Sequence, residues 1–333
     1  MAIVTGRNKV EQVYLRAKEA KWVIPCFNSE NLTTTEAILS AVHTYGQEIG
    51  IADLPICIGI TAQYEARPQA ALYTHSRRWD IGLRLFLEEL KVLAGPDGPY
   101  ESLQVLIHLD HIIHGLDTEL LDWDLSQFSS IMYDASKLPL EENIEATAAF
   151  VRDKGHLLLV EGACDEIVDA GGDEASELTS PDKAEQYVRR TGVDFIVANL
   201  GTEHRANLSD LQYRGDYARA IKDRVGQKLV LHGGSSVQGD TMASLFADGI
   251  SKVNVWTLLE RESSAELVEH LVMNASRAAG IDAAQRLQAS GLLGSRAVGE
   301  GASIHYFTTT ARQEIVYKNM RNRVMDYLTM WYS

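Results

Sequence analysis

The chain alternates short apolar, β-branched runs with longer stretches in which apolar residues recur at helical spacing. The runs are WVIPCF (22–27), ICIGIT (56–61), VLIHLD (105–110), SSIMYD (129–134), LLLVEG (157–162), DFIVANLG (194–201), KLVLHGG (228–234) and KVNVWT (252–257). Apolar residues at successive positions mean that both faces are expected to be buried, as in a parallel sheet. Helical patterns lie between the runs. TTTEAILSAVHTYGQEIG (33–50) begins with a threonine cap and places Ala37, Ile38, Ala41 and Val42 on one face. LPLEENIEATAAFVRDKG (138–155) stops at Gly155. TSPDKAEQYVRRTG (179–192) has Ser180 as N-cap, Pro181 in the first turn and Gly192 just past the end.

Eight strand-then-helix units in about 260 residues match a (β/α)8 barrel. The sequence therefore predicts one α/β domain over 1–333, with the barrel at about 22–258. An extra amphipathic helix precedes it, and a helical region of about 259–333 follows. The competing fold is an open, doubly wound sheet, which places a glycine-rich phosphate loop after its first strand. CFNSENLTT, which occupies that place, has no glycine.

Polar residues then fall in a pattern of their own. Asn28, Thr61, Asp110 with His111, Asp134, Glu161, His204, His232 and Asn254 all lie at or near the C-terminal ends of the eight runs. Barrel active sites are built at that end. His111, His204 and His232 come from three different strands, and three converging imidazoles suit a catalytic zinc or a similar divalent ion. The plainer alternative is that each histidine hydrogen-bonds a neighbouring loop. His108 lies two residues before Asp110, so it faces the same side and is expected to support it. His114 is expected in the following loop. Gly233, Gly234 and Ser235 after the seventh run, with KVNVWT after them, sit where barrel loops cup a phosphate with backbone N–H groups.

The formal net charge of −15 argues against nucleic acid or an anionic membrane as the main partner. Cys26, Cys57 and Cys164 form no CxxC pair, which points to free thiols in a reducing compartment. The N-terminal residues lack the apolar core of a signal peptide, and no apolar run reaches the roughly 20 residues of a membrane span. These features lead to the expectation of a cytoplasmic protein.

The motifs together resemble the class II (metal-dependent) fructose-bisphosphate and tagatose-bisphosphate aldolases. The resemblance is carried by IPCFNSENLTTTEAILSAV, HLDH, SSIMYDASKLPLEENI, LTSPDKAEQYVRRTGVDFIVANLGTEH, LVLHGGSS and KVNVWT, in that order, from about residue 22 to about 258. It implies that His111, His204 and His232 bind zinc or another divalent ion. It further implies that Asp134, and Glu161 in place of a missing second glutamate, are accessory metal ligands, with a monovalent cation as a further cofactor. Asp110 is then the proton donor and acceptor at the substrate hydroxyl. Gly233, Gly234, Ser235, Asn254, Trp256 and Thr257 hold the phosphate of dihydroxyacetone phosphate, and Asn28 and Thr61 complete the substrate site. A second acid–base group is expected on the loop after the fifth run, where Glu166, Asp173 and Glu174 are candidates. The implied reaction is reversible C–C cleavage of a phosphorylated ketose through an enediolate, in a homodimer or homotetramer.

Three positions depart from the family pattern. Ala163 replaces the second glutamate of the fifth run, Arg205 replaces a small residue after His204, and Trp256 replaces a smaller residue or an aspartate. Arg205 is expected to block the phosphate cup or to grip a different anion. These departures keep open a homologue of other specificity, or one that binds a sugar phosphate or a partner protein without turnover. A Schiff-base aldolase would need a lysine at the barrel mouth; Lys228 and Lys252 are expected at strand starts, the opposite end. In the C-terminal segment 305–333 a single long helix is predicted, with a stripe of Ile315, Met320, Val324 and Tyr327 and an exposed aromatic end that joins subunits.

Overall fold

The computed structural model describes residues 2–166, 178–202, 213–234, 237 and 239–332. Eight parallel strands close on themselves: β1 (Ile24–Asn28), β2 (Pro55–Thr61), β3 (Gln104–Ile113), β4 (Ser130–Asp134), β5 (Leu159–Ala163), β6 (Phe195–Val197), β7 (Leu229–Leu231) and β8 (Ile250–Val255). β8 pairs back onto β1 through Lys252 with Ile24 and Asn254 with Cys26. Closure excludes the open, doubly wound sheet. Helices cover the outside while side chains fill the inside, so both faces of each strand are buried. This is why the runs lack polar alternation.

Helix starts follow local chemistry. The helix Leu32–Ile49 is capped by Asn31, whose side chain accepts from Thr33 N (2.9 Å) and Thr34 N (3.3 Å). The expected threonine cap is wrong by two residues, because Asn31 is the extended residue before the first turn and the threonines lie within it. The helix Pro181–Thr191 has the expected cap, with Ser180 Oγ accepting from Lys183 N at 3.2 Å. Gly192 follows in the left-handed conformation at φ 74°.

The helix Arg7–Glu19 covers the N-terminal end of the barrel. Val10 and Val13 are buried, Tyr14 packs on Phe195 with ring centroids 4.6 Å apart, and the Arg7 guanidinium pairs with Asp194. At the other end of the chain, the long helix is Thr309–Trp331. A short turn, Ile304–Phe307, precedes it, and Thr308 separates the two by capping the longer one.

Met320, Val324, Tyr327 and Leu328 are buried, and Arg321 reaches Ser40 and Thr44 on the helix Leu32–Ile49. The aromatic end, expected to be exposed, is buried instead. Trp331 donates its indole N–H to the carbonyl of Met242 at 3.1 Å, and the Tyr332 hydroxyl bonds the carbonyl of Pro55. Each ring buries its apolar body while its polar tip finds a backbone acceptor. Among the described residues, no helix is long and apolar enough to cross a membrane.

Candidate active site

Asp110 and His111 are consecutive, so an unbroken strand would aim them at opposite faces. β3 is not unbroken. Its register against β4 shifts between Leu109 and Ile112, and His111 adopts φ +46°. A non-glycine residue in this left-handed region is strained, and such strain persists only where the surroundings impose it. The bulge brings both side chains to one site. β3 therefore continues three residues beyond the expected run, to Ile113.

His232 follows β7, and its ring meets that of His111 edge-on with centroids 5.0 Å apart. One donor atom from each of Asp110, His111 and His232 falls within a mutual 4.8 Å. All three residues are buried. His111 Nδ1 lies 3.0 Å from Asp134 Oδ2, so the imidazole Nδ1–H donates there and Nε2 is the nitrogen left for a metal ion. The other oxygen of Asp134 accepts from Ser136 N (3.0 Å) and Ser136 Oγ (2.6 Å). Burial alone would raise the Asp134 carboxyl, but its bonds to His111 and Ser136 hold it below the usual range. Asp134, expected as an accessory ligand, here orients His111. Tyr64 stacks flat on the other side of His111, with centroids 4.5 Å apart. Two imidazoles and a carboxylate, buried and converging, suit a borderline divalent ion. His204, Arg205, Ser235, Asp173 and Glu174 lie outside the described residues, and Glu166 is exposed at the end of the segment that follows β5.

Three donors hold Asp110. Its Oδ2 accepts from Asn28 Nδ2 and Arg67 Nη2, both at 2.8 Å, and its Oδ1 accepts from Asn254 Nδ2 at 3.0 Å. Burial opposes its charge, but His111, His232 and Arg67 keep the carboxyl well below the usual range. Asn28 and Asn254 line the pocket as expected, yet their amides are directed to Asp110. Gly233, Gly234, Trp256 and Thr257 line the same pocket. Gly233 has φ +65°, a backbone conformation that favours glycine, and a Cβ on Gly234 would crowd Val253 Cγ1 at 3.2 Å.

Thr61, expected in the substrate site, is fully buried and is not among the residues that line this pocket. Its N–H donates to Gln69 Oε1 (3.0 Å), and its Oγ1 accepts from Gln69 N (3.1 Å) and bonds the carbonyl of Arg67. It shapes the loop that presents Tyr64 and Arg67. Both of these residues went unnoticed in the sequence, and their only signal was position in the loop after β2, at the C-terminal face.

Below Asp110 the barrel interior is ionic. Lys252 lies in the middle of β8 and is fully buried, 2.6 Å from Glu161 of β5. Both expectations for this pair change. Lys252 is inside the barrel because β8 begins two residues earlier, at Ile250. Glu161 is mid-strand and directed to Lys252, away from the metal-ligand cluster. Burial works against the Lys252 ammonium, but the Glu161 carboxylate raises it above its ordinary value. A lysine held protonated is not a Schiff-base nucleophile. His108 faces the same side as Asp110, as expected. Its Nε2 stands 3.8 Å from Asp110 Oδ1 and 3.7 Å from Glu161 Oε2, and Ser130 Oγ lies 2.8 Å from its Nδ1. Burial, aided by Lys252, keeps His108 neutral.

Above the pocket, Trp256 Nε1 donates to Glu30 Oε1 at 2.6 Å. Burial and the Glu30 charge push the nearby Glu260 carboxyl up to about 7. A raised folded-state value favours the folded protein below the unfolded value of 4.5, and that benefit is lost as pH rises through about 7. Glu260→Gln is therefore expected to raise Tm at pH 8 by about 2 °C or more and to leave it unchanged near pH 4. Thermal melts at both pH values test this, and an equal effect at the two would refute it.

Comparison with known proteins identifies the family. The family described as fructose-bisphosphate aldolase class-II matches residues 8–322. The chain is 29% identical over 259 residues to a fructose-bisphosphate aldolase of Treponema pallidum (strain Nichols), covering 70% of each chain. It is 27% identical over 267 residues to a sulfofructosephosphate aldolase of Alkalicoccus urumqiensis, covering 78% of this chain and 82% of that one. The crystal structure of fructose-bisphosphate aldolase from Campylobacter jejuni superposes with a TM-score of 0.76 at 18% identity, over 99% of this chain and 95% of that one, a likeness of fold. The matched span takes in all eight barrel strands, the Asp110–His111 bulge and the Gly233–Gly234 turn, and on that ground the chain belongs to the class II fructose-bisphosphate aldolase family and is an aldolase.

Proposed function

We propose that the protein is a zinc-dependent aldolase, or one using a similar divalent ion, that reversibly cleaves a phosphorylated ketose. The products are a dihydroxyacetone-phosphate-like ketone and an aldehyde. The observation that carries this reading is the convergence of Asp110, His111 and His232 beside the paired glycines. His111 and His232, with His204, would hold the ion. When bound, it supplies Lewis-acid stabilisation of the negative charge that develops on the ketose oxygens.

The protein's own groups do the rest. Asp110 accepts the proton of the C4 hydroxyl in cleavage and returns it in condensation. Asn28 and Asn254 fix the carboxylate for that transfer. Gly233 and Gly234, with Ser235 and the backbone from Asn254 to Thr257, cradle the phosphate through N–H groups. An acid of the loop after β5, Glu166 or Glu174, moves the proton at the carbon next to the ketone. Asp110→Asn is expected to lower kcat by roughly 100-fold or more in either direction. Turnover of a panel of ketose phosphates by the metal-loaded protein tests the reading, and no cleavage of any of them would refute it. That result would favour the second reading, binding without turnover, which draws support from the Arg67–Asp110 ion pair across the base.

The assembly is proposed to be a homodimer or homotetramer. Exposed Val268, Met273, Leu292 and Ile304, on the helical region after β8, support a contact between copies. A monomeric mass by light scattering would exclude it. Three buried free cysteines support a reducing, cytoplasmic location, which fractionation of the source cells would check.

A further inference from the structure

We propose that Tyr64 is a positioning residue of the metal centre: it fixes the plane of His111 and strengthens the hold of that imidazole on a divalent ion. This rests on the metal-dependent reading above and extends it to the loop after β2. The starting point is a weakness at His111. The pairing of β2 with β3 ends at Thr61 and Asp110, and the register of β3 against β4 shifts between Leu109 and Ile112. His111 lies in that gap at φ +46°. No regular ladder sets the direction of its ring, so the groups that touch the ring must do so.

Asp134 accepts from Nδ1 at one edge of the ring. A single hydrogen bond fixes one point and leaves the ring free to tilt about it. Tyr64 removes that freedom. Its ring lies 4.5 Å from the imidazole, centroid to centroid, and only 8° from parallel, an offset face-to-face stack. The stack also acts on charge. A metal ion at Nε2 draws electron density out of the imidazole and leaves it partly positive. The face of a phenol ring is negative, so it attracts the metal-bound imidazole more than the free one. A contact that favours the loaded state over the empty one raises affinity by that difference.

Tyr64 exerts this effect because its loop is anchored. Arg67 N donates to Tyr64 O at 2.9 Å and closes the turn. The neighbouring Gln63 donates through Nε2 to Asp117 Oδ1 at 3.2 Å, and Asp117 Oδ2 accepts from Ile113 N at 2.8 Å. Asp117 is fully buried. One carboxylate thus joins the residue before Tyr64 to the residue two places after His111. The phenol ring and the imidazole it covers are mounted on one frame, so little freedom is lost when the ion binds.

The test measures zinc affinity by competition with a chromophoric chelator, and the visible spectrum of the cobalt(II)-loaded protein. Tyr64→Leu is expected to weaken zinc binding by roughly 10–100-fold, the usual loss when a group that orients a metal ligand is removed, and to change the cobalt bands. Tyr64→Phe keeps the ring and is expected to stay within about threefold of wild type with an unchanged spectrum. Equal losses in the two variants would place the effect in the hydroxyl and overturn the proposal. A merely structural role would lower the Tm of metal-free Tyr64→Leu while zinc affinity and cobalt spectrum stayed as in wild type, and that result would overturn it too. A wild-type protein that takes up no metal would bring down the metal-dependent reading together with this one, whereas normal uptake by both wild type and Tyr64→Leu would bring down this one alone.

A second readout needs no variant. Coupling between two sites is reciprocal, so an ion held more tightly because of the stack must in turn hold the stacked loop closed. Hydrogen exchange of the amides of residues 62–67 in the wild-type protein is expected to slow by roughly 10–100-fold on zinc loading, the same factor as the affinity loss in Tyr64→Leu. The Arg67 amide, bonded to Tyr64 O, reports the turn directly. Exchange of this segment at the same rate with and without zinc would overturn the proposal.

Discussion

His232→Ala and His111→Ala are each expected to strip the protein of bound divalent metal and to lower aldolase turnover by about 10,000-fold or more. Each removes a buried nitrogen from a cluster whose donor atoms lie within 4.8 Å of one another. With one donor gone, the remaining groups form an incomplete site, and the hole left by the imidazole admits water. Elemental analysis after exhaustive dialysis reads the first effect, and a coupled cleavage assay the second. Chelation of the wild-type protein followed by replacement of zinc should mimic and then reverse the loss. Near-native circular dichroism in the variants separates loss of metal from loss of fold. Wild-type metal content in His232→Ala, or activity that survives chelation, would sink the metal-dependent reading.

Lys252→Met is expected to destabilise the barrel by about 3–5 kcal/mol, the usual result of leaving one partner of a buried ion pair alone. Lys252 and Glu161 are both fully buried, and the ammonium stands 2.6 Å from the carboxylate. Among the described residues, Glu161 Oε2 has no hydrogen-bond partner, and His108, 3.7 Å from it, is held neutral. Among the described residues, no other charged ion-pair partner of the carboxylate remains once Lys252 is removed. Lys252→Met combined with Glu161→Gln should recover most of the loss, since both charges are then gone. Urea unfolding of the two variants gives the comparison. A single variant as stable as the wild type, or a double variant no better than the single, would show that the pair does not act as described.

Much of the barrel was legible because its cause is local and repeated. A strand buried on both faces must be apolar at successive positions, and runs such as ICIGIT and SSIMYD record that directly. Caps are local too, as Ser180 and Gly192 show. The places where the reading slipped share a different cause. The middle of β8 and the start of β8 look alike in sequence, so Lys252 was expected at the start of the strand, the end opposite the barrel mouth. Its burial depends on Glu161, 91 positions away in the chain. Trp331 and Tyr332 read as an exposed aromatic end because their acceptors, the carbonyls of Met242 and Pro55, are just as remote.

The site divides along the same line. By itself the sequence determined that Asp110, His111 and His232 fall at the C-terminal ends of barrel strands, because strand periodicity and barrel order are local properties. Only the tertiary structure decided what each polar group touches. The bulge that turns His111 to the side of Asp110 exists only in the register between β3 and β4. Asn28, Asn254 and Arg67 come from three other segments and meet on one carboxylate. Asp134 holds His111, and Thr61 holds the loop of Arg67, for the same reason. A side chain's periodicity sets the face it occupies, but its hydrogen-bond partner is set by closure of the barrel, which brings distant strands to a common axis.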